Sequence, residues 1–229
     1  MNATRRPQWR RRRGYHHGNL REVMIEAARQ LIEQRGPGGF TLTEAARLAG
    51  VSAAAPYRHF RDREALLSEV ARTGFERFAD QLEDAWNGGE PSAISAFENL
   101  GRAYLRFARE EPANYAAMFE GGLSSADFPD LKTAADRAFN VLRRASALLC
   151  QSLPEADRPP IDLMSLHIWA LSHGIATLFA EGKPTRGKVP MTPEEILESG
   201  TLIYLMGLGI VPGEEAGDVA DERPDSHLP

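Results

Sequence analysis

An all-α fold, with a small helical head joined to a larger helical body, is predicted by this 229-residue chain. Apolar residues recur at helical spacing in one segment after another, and clusters of glycine and proline separate these segments. No segment shows the alternation that is typical of a strand. Apolar residues make up 42% of the chain, which is enough to fill a core and argues against general disorder.

The first element of the head is a helix that ends at about Arg35. An apolar stripe defines its buried face, and the run Gly36-Pro37-Gly38-Gly39 must break it. We expect this helix to brace the two shorter helices that follow it. The stripe consists of Leu20, Val23, Met24, Ala27, Leu31 and Ile32.

The next helix is expected to start at Thr41. The Thr41 side chain can cap it while Glu44 reaches back to the amide of the cap, and Phe40 stands where a hydrophobic staple would lie. A short apolar stripe gives this helix a buried face. The stripe consists of Leu42, Ala45 and Leu48.

A tight turn and a second short helix are predicted after Gly50. Gly50 falls where a left-handed residue ends a helix, and Ser52 is expected to cap the helix that follows. That helix carries three small residues, Ala53, Ala54 and Ala55, followed by Tyr57 and His59. Two short helices in this arrangement predict a helix-turn-helix that reads DNA. An ordinary helical hairpin is the alternative.

A long helix should connect the head to the body. Asp62 is its expected cap and Trp86 its end, so the helix is about 37 Å long at 1.5 Å per residue. Further helices are predicted at about 92–110, 112–119, 127–152, 160–181 and 193–209. Residues 212–229 carry six acidic residues against one Arg and are expected to form a disordered tail.

The net charge of −5 is unevenly distributed. Residues 1–63 carry thirteen Arg and five acidic residues, a net charge of +8, whereas the remainder has a net charge of −13. A basic head on an acidic body favours DNA as the partner of the head. Six of these Arg lie within residues 5–13, and such an arm can enter a narrow minor groove, contact phosphate without preference, or remain a solvated tail.

Residues 19–70 resemble the TetR family of bacterial transcriptional regulators. The similarity rests on a Thr-rich first helix, Ala-Gly-Val-Ser in the turn, and Tyr-x-x-Phe after it. Further along, Trp169-Ala-Leu-Ser-His173-Gly174 resembles the Trp-His-Gly motif of a TetR subgroup whose heads begin Tyr-His-His-Gly, as residues 15–18 do here. The resemblance implies a flexible basic arm (1–18), a DNA-binding domain (19–65), a ligand-binding and dimerisation domain (66–211) and the acidic tail (212–229).

The resemblance also implies separate roles for different residues of the head. It implies that Thr43 and the start of the second short helix face the major groove, whereas Tyr57, His59 and Arg63 hold phosphates. Arg63 stands where the family usually has Lys. The expected DNA-binding residues are Thr43, Arg47, Ser52, Ala53, Ala54, Ala55, Tyr57, Arg58, His59 and Arg63, together with Arg10, Arg11, Arg12 and Arg13 of the arm.

Direct base recognition by this head should be sparse. The three alanines offer only methyl groups and cannot make bidentate hydrogen bonds to bases. Recognition should therefore depend on Thr43 and on Arg47 or Arg58. Pro56 departs from the apolar residue that is usual in the family; its missing amide costs little in a first turn, but it disfavours helical geometry at Ala55.

The body is expected to bind an unknown small apolar or amphipathic ligand. Its aromatic residues, with Phe97 among them, can line an apolar pocket or simply fill the core. His173 can face such a pocket or lock two helices together. The predicted pocket residues are Trp86, Tyr104, Phe107, Tyr115, Phe119, Phe139, Trp169 and His173.

The last two helices are expected to form a homodimer interface, as their equivalents do in TetR relatives. Burial within one subunit is the alternative. Gly200, Gly207 and Gly209 would permit close backbone approach there. The apolar residues concerned are Ile161, Met164, Ile168, Leu171, Leu178, Ile196, Leu202, Ile203, Met206 and Ile210.

Catalytic, metal and membrane roles find no support in the sequence. His16 and His17 point apart, and His167 and His173 are six residues apart, not four as in a zinc-binding helix. There is no Gly-x-Ser-x-Gly elbow, and no apolar run is long enough to span a membrane. Cys150, the single cysteine, is expected to be a small buried hydrophobe. We therefore expect no enzyme, metal or cofactor, and a cytoplasmic location.

These expectations describe an all-α, TetR-like homodimer that binds double-stranded DNA at a palindromic operator. It would act as a repressor that leaves the operator when a small ligand binds. The alternative is a TetR-like DNA-binding protein without a small ligand, whose body docks a protein partner.

Overall fold

The computed structural model describes residues 20–124, 126–180 and 190–211. These residues form eight α-helices and three 3₁₀-helices, with no strand among them, so the predicted all-α fold is confirmed. The arm and the acidic tail lie outside the described residues. The α-helices are α1 (Leu20–Arg35), α2 (Leu42–Leu48), α3 (Arg63–Trp86), α4 (Ala93–Glu110), α5 (Pro112–Phe119), α6 (Pro129–Cys150), α7 (Ile161–Leu178) and α8 (Pro193–Gly207). The 3₁₀-helices span Pro56–Arg58, Asn87–Gly89 and Glu155–Asp157.

Local signals fix both ends of α2 as predicted. The Glu44 amide donates to Thr41 Oγ1 at 3.2 Å, and the Thr41 amide donates to the Glu44 carboxylate at 2.9 Å, which completes the capping box. Gly50 follows the helix with φ of +71°. Two members of the predicted stripes are not buried: Leu48 is 48% exposed and Val23 43% exposed. Ala46 is buried in α2 instead.

The second short helix of the head differs from the prediction. No α-helix forms between Ser52 and the start of α3; residues 53–54 form a turn that leads through a bend at Ala55 into the 3₁₀-helix Pro56–Arg58, which no side chain caps. Pro56 has no amide to donate to the Ser52 carbonyl, and that carbonyl accepts from Ala55 at 3.0 Å instead. Ala55 adopts helical geometry, at φ −63° and ψ −40°, although the following proline disfavours it.

Helix α3 connects the head to the body. The Ala65 amide donates to Asp62 Oδ1 at 2.7 Å, so Asp62 caps the helix as predicted, and the helix runs for 24 residues to Trp86. Its buried face packs against α1 in the head and against α4, α5 and α6 in the body. At Gly74 an added Cβ would lie 2.8 Å from Sδ of Met118, so glycine allows α5 to approach closely.

The remaining helices build the body around α3. Helix α7 packs against α4 and α6, and α8 packs against α4 and α7. Gly200 of α8 does allow close approach, but to Leu171 of the same chain, whose Cδ2 would lie 3.2 Å from an added Cβ. Cys150 is buried beside Met164, and burial raises the pKa of its thiol. None of the described helices is both long enough and apolar enough to cross a membrane.

Candidate DNA-reading surface, ligand pocket and dimer face

The head exposes most of the residues expected to contact DNA. Ala55 is half-buried at the end of the turn, and Pro56 beneath it is fully buried. Because Pro56 anchors the turn in the core of the head, the neighbouring side chains stay at the surface. The exposed residues are Thr43, Arg47, Ser52, Ala53, Ala54, Tyr57, Arg58 and His59. Arg10–Arg13 lie outside the described residues.

Arg63 has structural partners in addition to its expected phosphate. Its Nη1 donates to the Pro37 carbonyl at 2.6 Å, and its guanidinium lies 5.6 Å from the centre of the Phe40 ring. These contacts tie the glycine-rich turn after α1 to the start of α3. Replacement of Arg63 would therefore loosen the head as well as remove a charge.

Tyr57→Phe and His59→Ala are expected to weaken DNA binding to all sequences by similar factors. Both side chains are exposed, and contacts to phosphate carry no sequence information. Fluorescence anisotropy with a specific and an unrelated duplex measures this effect. A change in base preference at unchanged overall affinity would contradict the assignment.

The aromatic residues predicted to line a pocket form an interlocked cluster in the body. The Phe78 ring is at its centre, with ring centroids at 5.1 Å from Tyr104, 4.8 Å from Phe107 and 6.0 Å from Trp169. Phe119 and Phe139 join through Trp169. Trp86 is buried at the far end of α3. This packing is what the core interpretation of these aromatic residues predicts.

His173 joins three helices within this cluster. Its Nδ1 lies 2.7 Å from the hydroxyl of Tyr115 on α5 and 3.1 Å from the hydroxyl of Tyr104 on α4. Burial raises the pKa of both phenols, so both hydroxyls stay protonated at neutral pH. This geometry supports the locking role of His173.

A groove opens beside the cluster, between α4, α7 and α8. The gap between these helices measures about 600 Å³ when the open solvent within it is included. Of the predicted pocket residues, Tyr104 and Trp169 line it, and Phe97 does so too. The lining residues are Leu82, Phe97, Glu98, Leu100, Gly101, Arg102, Tyr104, Leu105, Leu142, Ile168, Trp169, Ser172, Glu194, Leu197, Glu198 and Thr201. The other six predicted residues (Trp86, Phe107, Tyr115, Phe119, Phe139 and His173) do not line this groove.

Two ion pairs join α4 to α8 at this groove. Arg102 Nε lies 2.7 Å from a Glu198 oxygen, and Arg109 Nη1 lies 2.9 Å from a Glu194 oxygen. The hydrogen bond from Arg109 lowers the pKa of the Glu194 carboxyl. No local sequence pattern indicates these pairs, because the paired side chains are 96 and 85 positions apart.

An apolar face is exposed on α7 and α8. On α8 the predicted residues Leu202, Ile203 and Met206 are exposed, and Ile203 is 71% exposed. On α7 the predicted interface residues Met164 and Ile168 are buried within the chain. For these two residues the alternative, burial within one subunit, is correct. The exposed apolar face consists of Leu163, Leu166, Leu178, Leu202, Ile203 and Met206.

A histidine links α7 to α8 beside this face. His167 Nδ1 lies 3.1 Å from the Tyr204 hydroxyl, which is on α8. In the described part of the chain, no group of three or more His, Cys, Asp or Glu side chains could hold a metal ion.

Comparisons with known proteins agree with this architecture. Residues 24–70 match the family model described as bacterial regulatory proteins, tetR family, and residues 97–201 match that of the tetracyclin repressor-like, C-terminal domain. A solved structure of a protein with unknown function from Rhodococcus sp. RHA1 is 32% identical, with a TM-score of 0.70 over 85% of this chain and 98% of that one.

Two further relatives are more distant. An uncharacterized HTH-type transcriptional regulator, YobS, from Bacillus subtilis is 29% identical over 100 residues, which is 44% of this chain and 51% of that protein. The chain thus spans about half the length of this curated relative. The structure of AibR in complex with isovaleryl coenzyme A and operator DNA is 17% identical, with a TM-score of 0.61 over 80% of this chain and 96% of that one.

The two family models cover the head and most of the body in the order that the helices follow. The chain belongs to the TetR family of bacterial transcriptional regulators.

Proposed function

We propose that this protein is a homodimeric repressor that binds a palindromic operator and leaves it when a small molecule occupies the groove between α4, α7 and α8. The observation that carries the proposal is the course of α3. This helix starts at its Asp62 cap in the head, and its Leu82 lines the groove in the body. A shift of α3 caused by a ligand would therefore move the head.

Dimerisation is supported by the exposed apolar face on α7 and α8. Two copies of this face related by a two-fold axis would cover each other, because such an interface uses the same surface twice. The two heads would then meet successive major grooves about 34 to 36 Å apart, which requires an operator with inverted symmetry.

Release from DNA would follow from a shift between two forms of the dimer. A ligand that binds better to the form with mis-spaced heads reduces the population that fits the operator. The factor by which it shifts the equilibrium between the two forms cannot exceed the ratio of its affinities for them. The groove suits such a role because its lining is mostly apolar, and ion pairs between side chains join α4 to α8 beside it. AibR, which shares the fold, has been solved with both a small ligand and operator DNA.

We also assign the chain to the subgroup with the Trp-His-Gly motif. Trp169 lines the groove and packs on the aromatic cluster, whereas His173 joins α4, α5 and α7. The motif would thus couple the wall of the pocket to the core.

A gel-shift titration against the DNA upstream of the protein's own gene, repeated with candidate metabolites, tests the proposal. We expect a complex that resists unrelated competitor DNA and dissociates when one of the metabolites is added. A specific complex that no metabolite weakens, together with a co-purifying protein, would favour a body that docks a protein partner instead.

Deletion of residues 1–13 is expected to reduce the salt dependence of DNA binding. These residues carry six Arg and no acidic residue, and each lost phosphate contact should remove about 0.9 from the log-log slope. If the arm enters the minor groove, preference for A·T-rich flanks should fall too. Anisotropy titrations at several salt concentrations measure both quantities. An unchanged slope would show that the arm does not contact DNA.

A further inference from the structure

We infer that the groove between α4, α7 and α8 takes a ligand with an apolar body and a cationic head group. This inference rests on the proposed ligand response and names the chemical class of the ligand. It follows from two properties of the groove, the apolar character of its inner wall and the sign of the charge at its mouth.

The inner wall is built from large apolar side chains contributed by five helices. Leu82 comes from α3, Leu142 from α6, Ile168 and Trp169 from α7, and Leu197 from α8, while α4 supplies Phe97, Leu100 and Leu105. Ser172 is the polar group of α7 in this wall, and its hydroxyl already donates to the Ile168 carbonyl at 2.9 Å. A hydrocarbon chain or ring system would therefore be buried favourably here.

The charged lining residues are predominantly acidic. They comprise three carboxylates, on Glu98, Glu194 and Glu198, against the single guanidinium of Arg102. Arg109, which pairs with Glu194, does not line the groove. Even when Arg109 is included, carboxylates outnumber guanidinium groups at the mouth. Residues 64–211 carry 21 acidic and 13 basic residues, a net charge of −8, so the field around the body also attracts cations.

The position of Arg102 shows which head group fits. Its guanidinium contacts Glu198 at 2.7 Å and Glu98 at 3.8 Å, so a cation already lies between two carboxylates from different helices. An ammonium or amidinium on a ligand could share these carboxylates with Arg102 or replace it. An anionic head group would have to compete with these carboxylates for Arg102 and would lie beside groups of its own charge, which weakens its binding.

Three probes with the same ten-carbon chain separate these cases: decyltrimethylammonium, decanol and decanoate. Isothermal titration calorimetry of the full-length protein below the micellar concentrations gives their affinities. We expect decyltrimethylammonium to bind about tenfold or more tightly than decanoate, with decanol between them. Equal or tighter binding of decanoate would overturn the inference, and so would the absence of binding by decyltrimethylammonium.

Glu98→Gln locates the effect at the mouth. Glu98 is the carboxylate with the longest contact to Arg102, so its replacement disturbs the fold least. We expect the preference for decyltrimethylammonium over decanoate to fall about three- to fivefold, the range of a partly exposed charge pair. Glu110→Gln is the matched control, because Glu110 is exposed on the same helix and does not line the groove. A preference that Glu98→Gln leaves unchanged would contradict the assignment.

The gel shift separates this inference from the proposed function. Preferred binding of the cation without any effect on the DNA complex would support the ligand class and contradict ligand-induced release. Release of DNA by decanoate, with decanoate also the tighter ligand, would support the response and overturn the ligand class.

Discussion

Ile203→Asp should convert the protein from a dimer of about twice 25.3 kDa into a monomer at micromolar concentration. Ile203 is 71% exposed in the single chain and lies in the apolar face of α7 and α8. Sedimentation velocity measures the change directly. DNA binding should be lost with the dimer, because one head alone contacts half of the operator.

The expected size of the effect follows from the two-fold symmetry. Each copy loses about 1.5 to 3 kcal/mol of apolar burial and gains the cost of a buried unpaired carboxylate, and both terms count twice. The apolar term counted twice is about 3 to 6 kcal/mol, which alone corresponds to roughly a 10²- to 10⁴-fold weaker dimer, since every 1.4 kcal/mol is tenfold, and the carboxylates weaken the dimer further.

Ile94→Asp is the matched control for this variant. Ile94 is an exposed apolar residue near the start of α4, outside the apolar face of α7 and α8. Its replacement should leave the dimer intact. A dimer that survives Ile203→Asp would show that another surface joins the two subunits.

His173→Phe should lower the free energy of unfolding by about 1 to 3 kcal/mol. The phenylalanine ring fills a similar volume but cannot hydrogen-bond to the hydroxyls of Tyr104 and Tyr115, which are 4% and 7% exposed. The two hydroxyls still have each other as partners, and Tyr115 also has Thr177, but the acceptor that Nδ1 provides is lost. A buried donor without an acceptor costs about 1 to 3 kcal/mol. Urea unfolding at equal protomer concentration, so that dimerisation contributes equally, measures the loss.

Removal of the two hydroxyls as well should restore much of this stability. In the triple variant His173→Phe, Tyr104→Phe, Tyr115→Phe the two hydroxyls that contact Nδ1 of His173 are removed together with the imidazole, so neither is left without its acceptor. If the triple variant is as unstable as the single one, the hydrogen bonds are not what His173 contributes. If His173→Phe is stable but alters ligand binding, the histidine faces the ligand.

Helix ends could be predicted from the sequence because caps are local. The side chains of Thr41, Glu44 and Asp62 bond to amides three residues away, and these bonds need no knowledge of the rest of the fold. The short helix after Ser52 could not be predicted in this way. Its form depends on how a buried Pro56 redirects the hydrogen bonds of the turn.

The groove and the dimer face depend on contacts that no local pattern contains. Helix α7 is apolar on two sides: Met164 and Ile168 face the core, whereas Leu163 and Leu166 are exposed. Periodicity cannot tell these two faces apart, because both consist of large apolar residues. Likewise, the aromatic spacing allowed Phe107 and Tyr115 either to line a pocket or to fill the core, and it could not tell which of the aromatic residues would border the groove.

The central claim, that two copies of this chain read DNA together, is tested most directly by a DNase I footprint on the DNA upstream of the protein's own gene. A dimer that reads DNA with both heads should protect two half-sites in inverted orientation, with centres one turn of about 34 to 36 Å or a whole number of turns apart. Both should be lost with Ile203→Asp at concentrations where the unmodified protein protects them fully. A single unpaired site, or full protection by a monomeric Ile203→Asp variant, would contradict the account.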